Sequence, residues 1–121
     1  MIKRGNGSAP ASTTSIGQAA EQAVAEELTR QGFTIFQRNW RTKWCEVDII
    51  AGKDRVVWFI EVKYRASAKF GDGLEYIGPE KLKHMYRAAE LWVVRHGWSG
   101  EYTLGAVAVT AENIVGEMVE I

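Results

Sequence analysis

Asp48, Glu61 and Lys63 stand where a sequence should have no charge. Asp48 interrupts Cys45–Ala51, and Glu61 and Lys63 close Val56–Lys63; both runs have the Val, Ile, Phe and Trp content of central strands. Taking an ion out of water costs several kcal/mol unless something compensates it. Side chains two apart on a strand share a face, so Glu61 and Lys63 point together, as do Glu46 and Asp48. Glu21 joins them from elsewhere. Glu21, Val24, Ala25 and Leu28 follow the i, i+3, i+4, i+7 pattern, which puts Glu21 on the apolar stripe of a helix. Two carboxylates about 5 Å apart repel by about 3 kcal/mol at an effective dielectric of 20. Three such acids call for shared protons, a cationic partner such as Lys63, or a hard divalent cation with oxygen ligands. Each residue alone has a plainer reading: Asp48 as a turn cap or exposed strand residue, Glu21 as a stripe-edge residue reaching water, Glu-x-Lys as a chance strand ending. Their conjunction in this order points to a site.

The elements that must position these residues follow from periodicity and turn chemistry. Residues 1–14 are small, polar and rich in Gly, Ser and Thr, and are expected to be a disordered tail before a domain over 15–121. Ser15 with Gln18 fits a capping box for a helix running to about Gln31, where Gly32 ends it. Strands are predicted at Phe33–Asn39, Cys45–Ala51 and Val56–Lys63, the last two joined by the tight turn Gly52–Arg55. A loop over 66–78 leads to Pro79, which opens a second helix with the stripe Leu82, Met85, Tyr86, Ala89, Trp92 and Val93. The stretches "YTLGAVAVT" and "IVGEMVEI" read as two further strands. Short turns imply antiparallel pairing of the first three strands, and the intervening helix implies a right-handed crossover to a parallel fourth. The expected fold is α/β, one domain with a central mixed sheet in the order α-β-β-β-α-β-β, its helices on both faces or on one.

Composition narrows the setting. The chain has 121 residues, 46% hydrophobic and 25% charged, with 15 basic and 15 acidic side chains. It reads as one soluble domain with no membrane-spanning run of the ~20 apolar residues required. The single cysteine, Cys45, excludes an internal disulfide and a multi-cysteine zinc site, which fits a cytoplasmic protein. Zero net charge gives no general attraction to polyanions, but Thr29–Lys43 carries Arg30, Arg38, Arg41 and Lys43 without an acid, leaving a local basic edge.

The segments "GQAAEQAVAEELTRQGF", "RNWR", "CEVDIIA", "FIEVKYR" and "FGDG", followed by Lys81, together resemble the YraN family, bacterial proteins similar to archaeal Holliday-junction resolvases and grouped with the PD-(D/E)XK, or restriction-endonuclease-like, fold. The resemblance runs from about Gly17 to Trp92. Two positions depart from the usual pattern: Cys45 stands where the family has Gly, and Val47 where the superfamily motif has Pro. The resemblance implies a metal-dependent endonuclease hydrolysing phosphodiester bonds in branched or single-stranded DNA, with Glu21, Asp48, Glu61 and Lys63 as its catalytic residues. It implies Mg²⁺ or Mn²⁺ held by Asp48, Glu61, the backbone carbonyl of Val62 and Glu21. Arg38, Arg41, Arg65 and Lys81 flank these positions and are candidates for phosphate contacts. Trp40 and Trp44 bracket a hairpin turn, where they either stack bases or pack beneath it. A homodimer would suit two-fold DNA junctions. The alternative is a non-catalytic nucleic-acid-binding or scaffold protein that keeps the nuclease fold.

Overall fold

The computed structural model describes residues 13–65 and 77–121, with side chains from Ser15 onward. Most of the expected tail, and residues 66–76 of the expected loop with "FGDG" and Lys69, lie outside the described residues. The elements run α1 (Thr13–Arg30), β1 (Thr34–Arg41), β2 (Glu46–Lys53), β3 (Val56–Tyr64), α2 (Pro79–His96), β4 (Glu101–Val109) and β5 (Val119–Glu120). The strands form one sheet in the order β1-β2-β3-β4-β5. β3 pairs antiparallel with β2 and parallel with β4, so the sheet is mixed, and β3 is its central strand.

Each helix covers its own face. Ala20, Val24, Ala25 and Leu28 of α1 pack with Ile49, Ala51, Ile60, Val107 and Val109. Met85, Ala88, Ala89 and Trp92 of α2 pack with Val47, Ile50, Val57, Phe59 and Leu104 on the other side. Because β3 is covered twice, its alternating side chains are all apolar through Ile60, and Phe59 and Ile60 are fully buried on opposite faces. The Gly97 C-cap adopts the left-handed conformation at φ 61, and its backbone N–H meets the last carbonyls of α2.

β1 and β2 each run two residues further than expected, to Arg41 and Lys53, and other differences bear on the fold. α1 begins at Thr13 rather than Ser15. The β2–β3 turn is centred on Asp54 and Arg55, at φ 54 and 67, both left-handed as a two-residue hairpin requires. Gly52 therefore belongs to β2, where a Cβ would lie 2.7 Å from the Phe36 ring. Finally, "IVGEMVEI" yields only Val119–Glu120 plus an isolated bridge from Val115 to Val109. Met118 is drawn against the α1-side core, and Gly116 N–H donates to the Ala108 carbonyl, so the segment bends where a full strand would run straight. On α2, Ala88 replaces Tyr86 on the buried stripe, and Tyr86 is 47% exposed.

Candidate active site

β2 and β3 are paired from Lys53–Val56 up to Ile49–Ile60, and no further. The next residues across this gap are Asp48 and Glu61. In place of a strand carbonyl, the Asp48 carboxylate Oδ2 accepts the Val62 N–H at 2.8 Å. A side chain thus stands in for the sheet at the point where two strands part, which gives Asp48 a structural role.

Glu21 reaches Asp48 from the α1 face, within hydrogen-bonding distance of its carboxyl. Glu21 is itself held by Asn39, whose Nδ2 donates to Oε1 at 2.6 Å. Asn39 lies in β1 between the Arg38–Ile49 and Trp40–Val47 pairs, and its φ of 54 is left-handed, a conformation Asn tolerates better than most residues. Glu61 follows the parity of Val57 and Phe59 and so belongs to the α2 face. Its side chain is 13% exposed and lies between two lysines: Lys63 Nζ is 3.6 Å from Oε2 and Lys81 Nζ 3.4 Å from Oε1. The site therefore draws on both faces of the sheet through the opening between β2 and β3.

Its electrostatics follow from this placement. Burial pushes the Asp48 carboxyl up to about 7 from an ordinary 3.8; the Val62 N–H pulls it down, while Glu61 and Glu21 push it further up. Near neutral pH Asp48 is thus balanced between its charged and neutral forms. Cys45 lies within electrostatic reach of Lys81, Glu61 and Asp48, and burial raises its thiol, which leaves it a poor nucleophile.

Glu21, Asp48, Glu61 and Lys63 come to one opening in the sheet. Lys81, expected beside phosphates, reaches Glu61 instead. Arg38 donates to Gln22 Oε1 at 2.7 Å, Arg41 lies 3.7 Å from Glu46, and Arg65 donates to the Tyr64 carbonyl. Glu46 is thereby tied to Arg41. Among the described residues, no three carboxylate, histidine or cysteine side chains are close enough to enclose an ion unaided. Asn39 and Lys81 are the neighbours that spacing alone misses. The signal for Asn39 is an asparagine inside a strand, a residue type that strands disfavour unless the backbone turns left-handed.

The pattern of the family described as "Uncharacterised protein family UPF0102" matches residues 20–111, which contain every one of these side chains. A UPF0102 protein of Pseudomonas putida strain KT2440 is 40% identical over 94 residues, 78% of this chain and 76% of its own length. A UPF0102 protein of Vibrio vulnificus strain YJ016 is 35% identical over 88 residues, 73% of this chain and 72% of its own. Another, of Cytophaga hutchinsonii, is 31% identical over 105 residues, covering 87% and 93%.

Proposed function

The chain belongs to the UPF0102 (YraN) family, which is Holliday-junction-resolvase-like, and on that premise we propose that it is a metal-dependent endonuclease acting on branched or single-stranded DNA. One observation carries the reading: Asp48 sits half-buried at an opening in the sheet, hydrogen-bonded to Glu21 and within electrostatic reach of Glu61, which Lys63 approaches to 3.6 Å. Binding a nucleic acid does not call for clustered acids. Cutting one with the help of a cation does.

The donor set suits a hard cation. Mg²⁺ favours one or two carboxylates, waters and phosphate oxygens over an all-protein cage, and Asp48 and Glu61 offer such a pair of carboxylates. Mg²⁺ or Mn²⁺ on Asp48, Glu61 and the Val62 carbonyl, with Glu21 joining directly or through water, would polarise a phosphodiester and acidify a bound water. The remaining work falls to the chain. The Val62 N–H and Glu21 fix the Asp48 carboxyl, and Asn39 fixes Glu21. Lys63, beside Glu61, orients the attacking water and offsets the charge gathering on phosphate oxygens. Lys81 is positioned to move from Glu61 to a phosphate when a strand arrives.

A second reading has its own support. The two lysines on Glu61 already balance its charge, which suits a non-catalytic binding or scaffold protein that keeps the fold. The test is cleavage of end-labelled four-way, flap and single-stranded DNA with Mg²⁺ or Mn²⁺, comparing the parent chain with Glu61→Ala and Lys63→Ala. Cation-dependent cutting lost in both variants is expected. Binding without cutting, equal in all three proteins, would establish the second reading.

A further inference from the structure

The β1–β2 turn is unusually well pinned. Thr42 N–H and Oγ1 both donate to the Cys45 carbonyl at 2.9 Å, while Thr42 Oγ1 accepts from the backbone N–H groups of Trp44 and Cys45 at 3.1 Å. This turn holds Trp44 beside α2, between two open hollows of about 470 and about 500 Å³ that both use it as a wall. One hollow takes Arg41, Lys43 and Arg95, the other Lys83 and Arg87. Lys83, Arg87, Leu91 and Arg95 follow one another at i+4, so the cations form a stripe along α2 about 18 Å long at 1.5 Å per residue. Among the described residues Lys83, Arg87 and Arg95 take part in no salt bridge, and Lys43 Nζ lies 5.3 Å from the centre of the Trp44 ring. Glu80 is the only acid lining either hollow among the described residues.

A positive groove with an aromatic platform in it is the arrangement that holds single-stranded nucleic acid: cations follow the phosphates and a ring stacks a base. We propose that Trp44 and the Lys83–Arg87–Arg95 stripe of α2 form a docking track for a single-stranded DNA segment leading to the Asp48–Glu61 site. The inference rests on the nuclease reading and names the part of the substrate held beyond the reacting bond. Continuity with the site supports it. Cys45, next to Trp44, lies within electrostatic reach of Asp48, Glu61 and Lys81, and Lys81 meets Glu61 from the N-terminal end of α2, the end at which Pro79 and Lys83 line their hollow. The stripe is long enough for about five stacked nucleotides at 3.4 Å each. Charge complementarity and the stacking surface favour a nucleic acid over an anionic membrane, which offers phosphates but no bases.

The test reads binding, not cleavage. Fluorescence polarisation of a labelled 15-nucleotide oligothymidine, in excess chelator and at several salt concentrations, is measured on the full chain, on Trp44→Ala, on Trp44→Phe and on Lys83→Gln/Arg87→Gln. Phosphatidylglycerol vesicles serve as a competitor. Trp44→Ala is expected to weaken binding about tenfold, Trp44→Phe to restore most of it, and the double variant to flatten the salt slope by about 1.4. Thermal melts confirm that each variant is folded. The track is refuted if the parent chain does not bind the oligomer, if the folded variants bind as the parent does, or if vesicles displace the oligomer while Trp44→Ala changes nothing. Cleavage is read separately with Mg²⁺ or Mn²⁺ added, and normal track binding in chelator without any cutting in the cation would sink the nuclease reading alone. Cleavage unaffected by the track variants would sink this inference alone.

Discussion

Replacing Asp48 by Asn should stabilise the protein, although it removes a residue at the heart of the candidate site. Asparagine keeps an oxygen for the Val62 N–H and gains an NH₂ group to donate to Glu21, while the unfavourable charge disappears. The sign follows from proton linkage. Asp48 titrates near 3.8 when exposed and at about 7 in the fold, so between those values the folded state binds more protons than the unfolded one. Stability is therefore fully present below about pH 4, lost as pH rises to about 7, and level above it. A tenfold change in proton affinity is about 1.4 kcal/mol, which makes about 4 kcal/mol the ceiling. Partial exposure and local relaxation bring the expected gain nearer 2 kcal/mol at pH 8, or roughly 6–10 °C in melting temperature for a domain of this size. Thermal melts of both proteins from pH 4 to pH 8, in chelator, give the difference directly. It should be small at pH 4 and largest at pH 8. A gap independent of pH, or an Asn variant less stable at pH 8, would mean that the Asp48 charge does not weaken the fold.

Other outcomes follow from the same geometry. Adding Mg²⁺ or Mn²⁺ at pH 8 should raise the melting temperature of the parent chain by several degrees and leave Asp48→Asn unmoved, since a ligand stabilises only the protein that binds it. Asn39→Asp should destabilise by about 1–2 kcal/mol at pH 8, because an acceptor replaces the amide that donates to Glu21; melting the pair at acid pH should close the gap. Lys81→Gln should change stability by less than about 1 kcal/mol in urea titrations, the pair with Glu61 being partly solvated. Gly105→Ala should cost about 1–3 kcal/mol by the same titration, as a Cβ there would lie 2.8 Å from the Trp58 ring.

The sheet order is legible in the sequence because each connection leaves little choice: tight turns pair β1, β2 and β3, and a whole helix separates β3 from its parallel neighbour β4. The meeting of Glu21 with Asp48 is also legible, because the apolar period of α1 decides which side faces the sheet. What the sequence hides is set by backbone geometry with no periodic trace. The parting of β2 from β3 beyond Ile49 and Ile60 depends on a side chain taking over a backbone partner, and the left-handed Asn39 breaks the alternation that would otherwise point its amide elsewhere. Lys81 looks like any helix-opening lysine until α2 is laid across the end of β3. Tyr86 falls on the apolar side of a helical wheel, yet small Ala88 and Ala89 are what let α2 approach the sheet closely.

Val62 carries a consequence of its own. Its amide proton belongs to a residue with no titrating group, yet it ends on a carboxyl whose ionisation changes near neutrality. That amide is a native reporter placed inside the site. Its nitrogen and proton resonances should follow the Asp48 titration, and its exchange with solvent should slow whenever that carboxylate carries charge. A single backbone signal can thus register, without any label or substrate, whether the opening between the two strands holds a proton, a lysine or a cation.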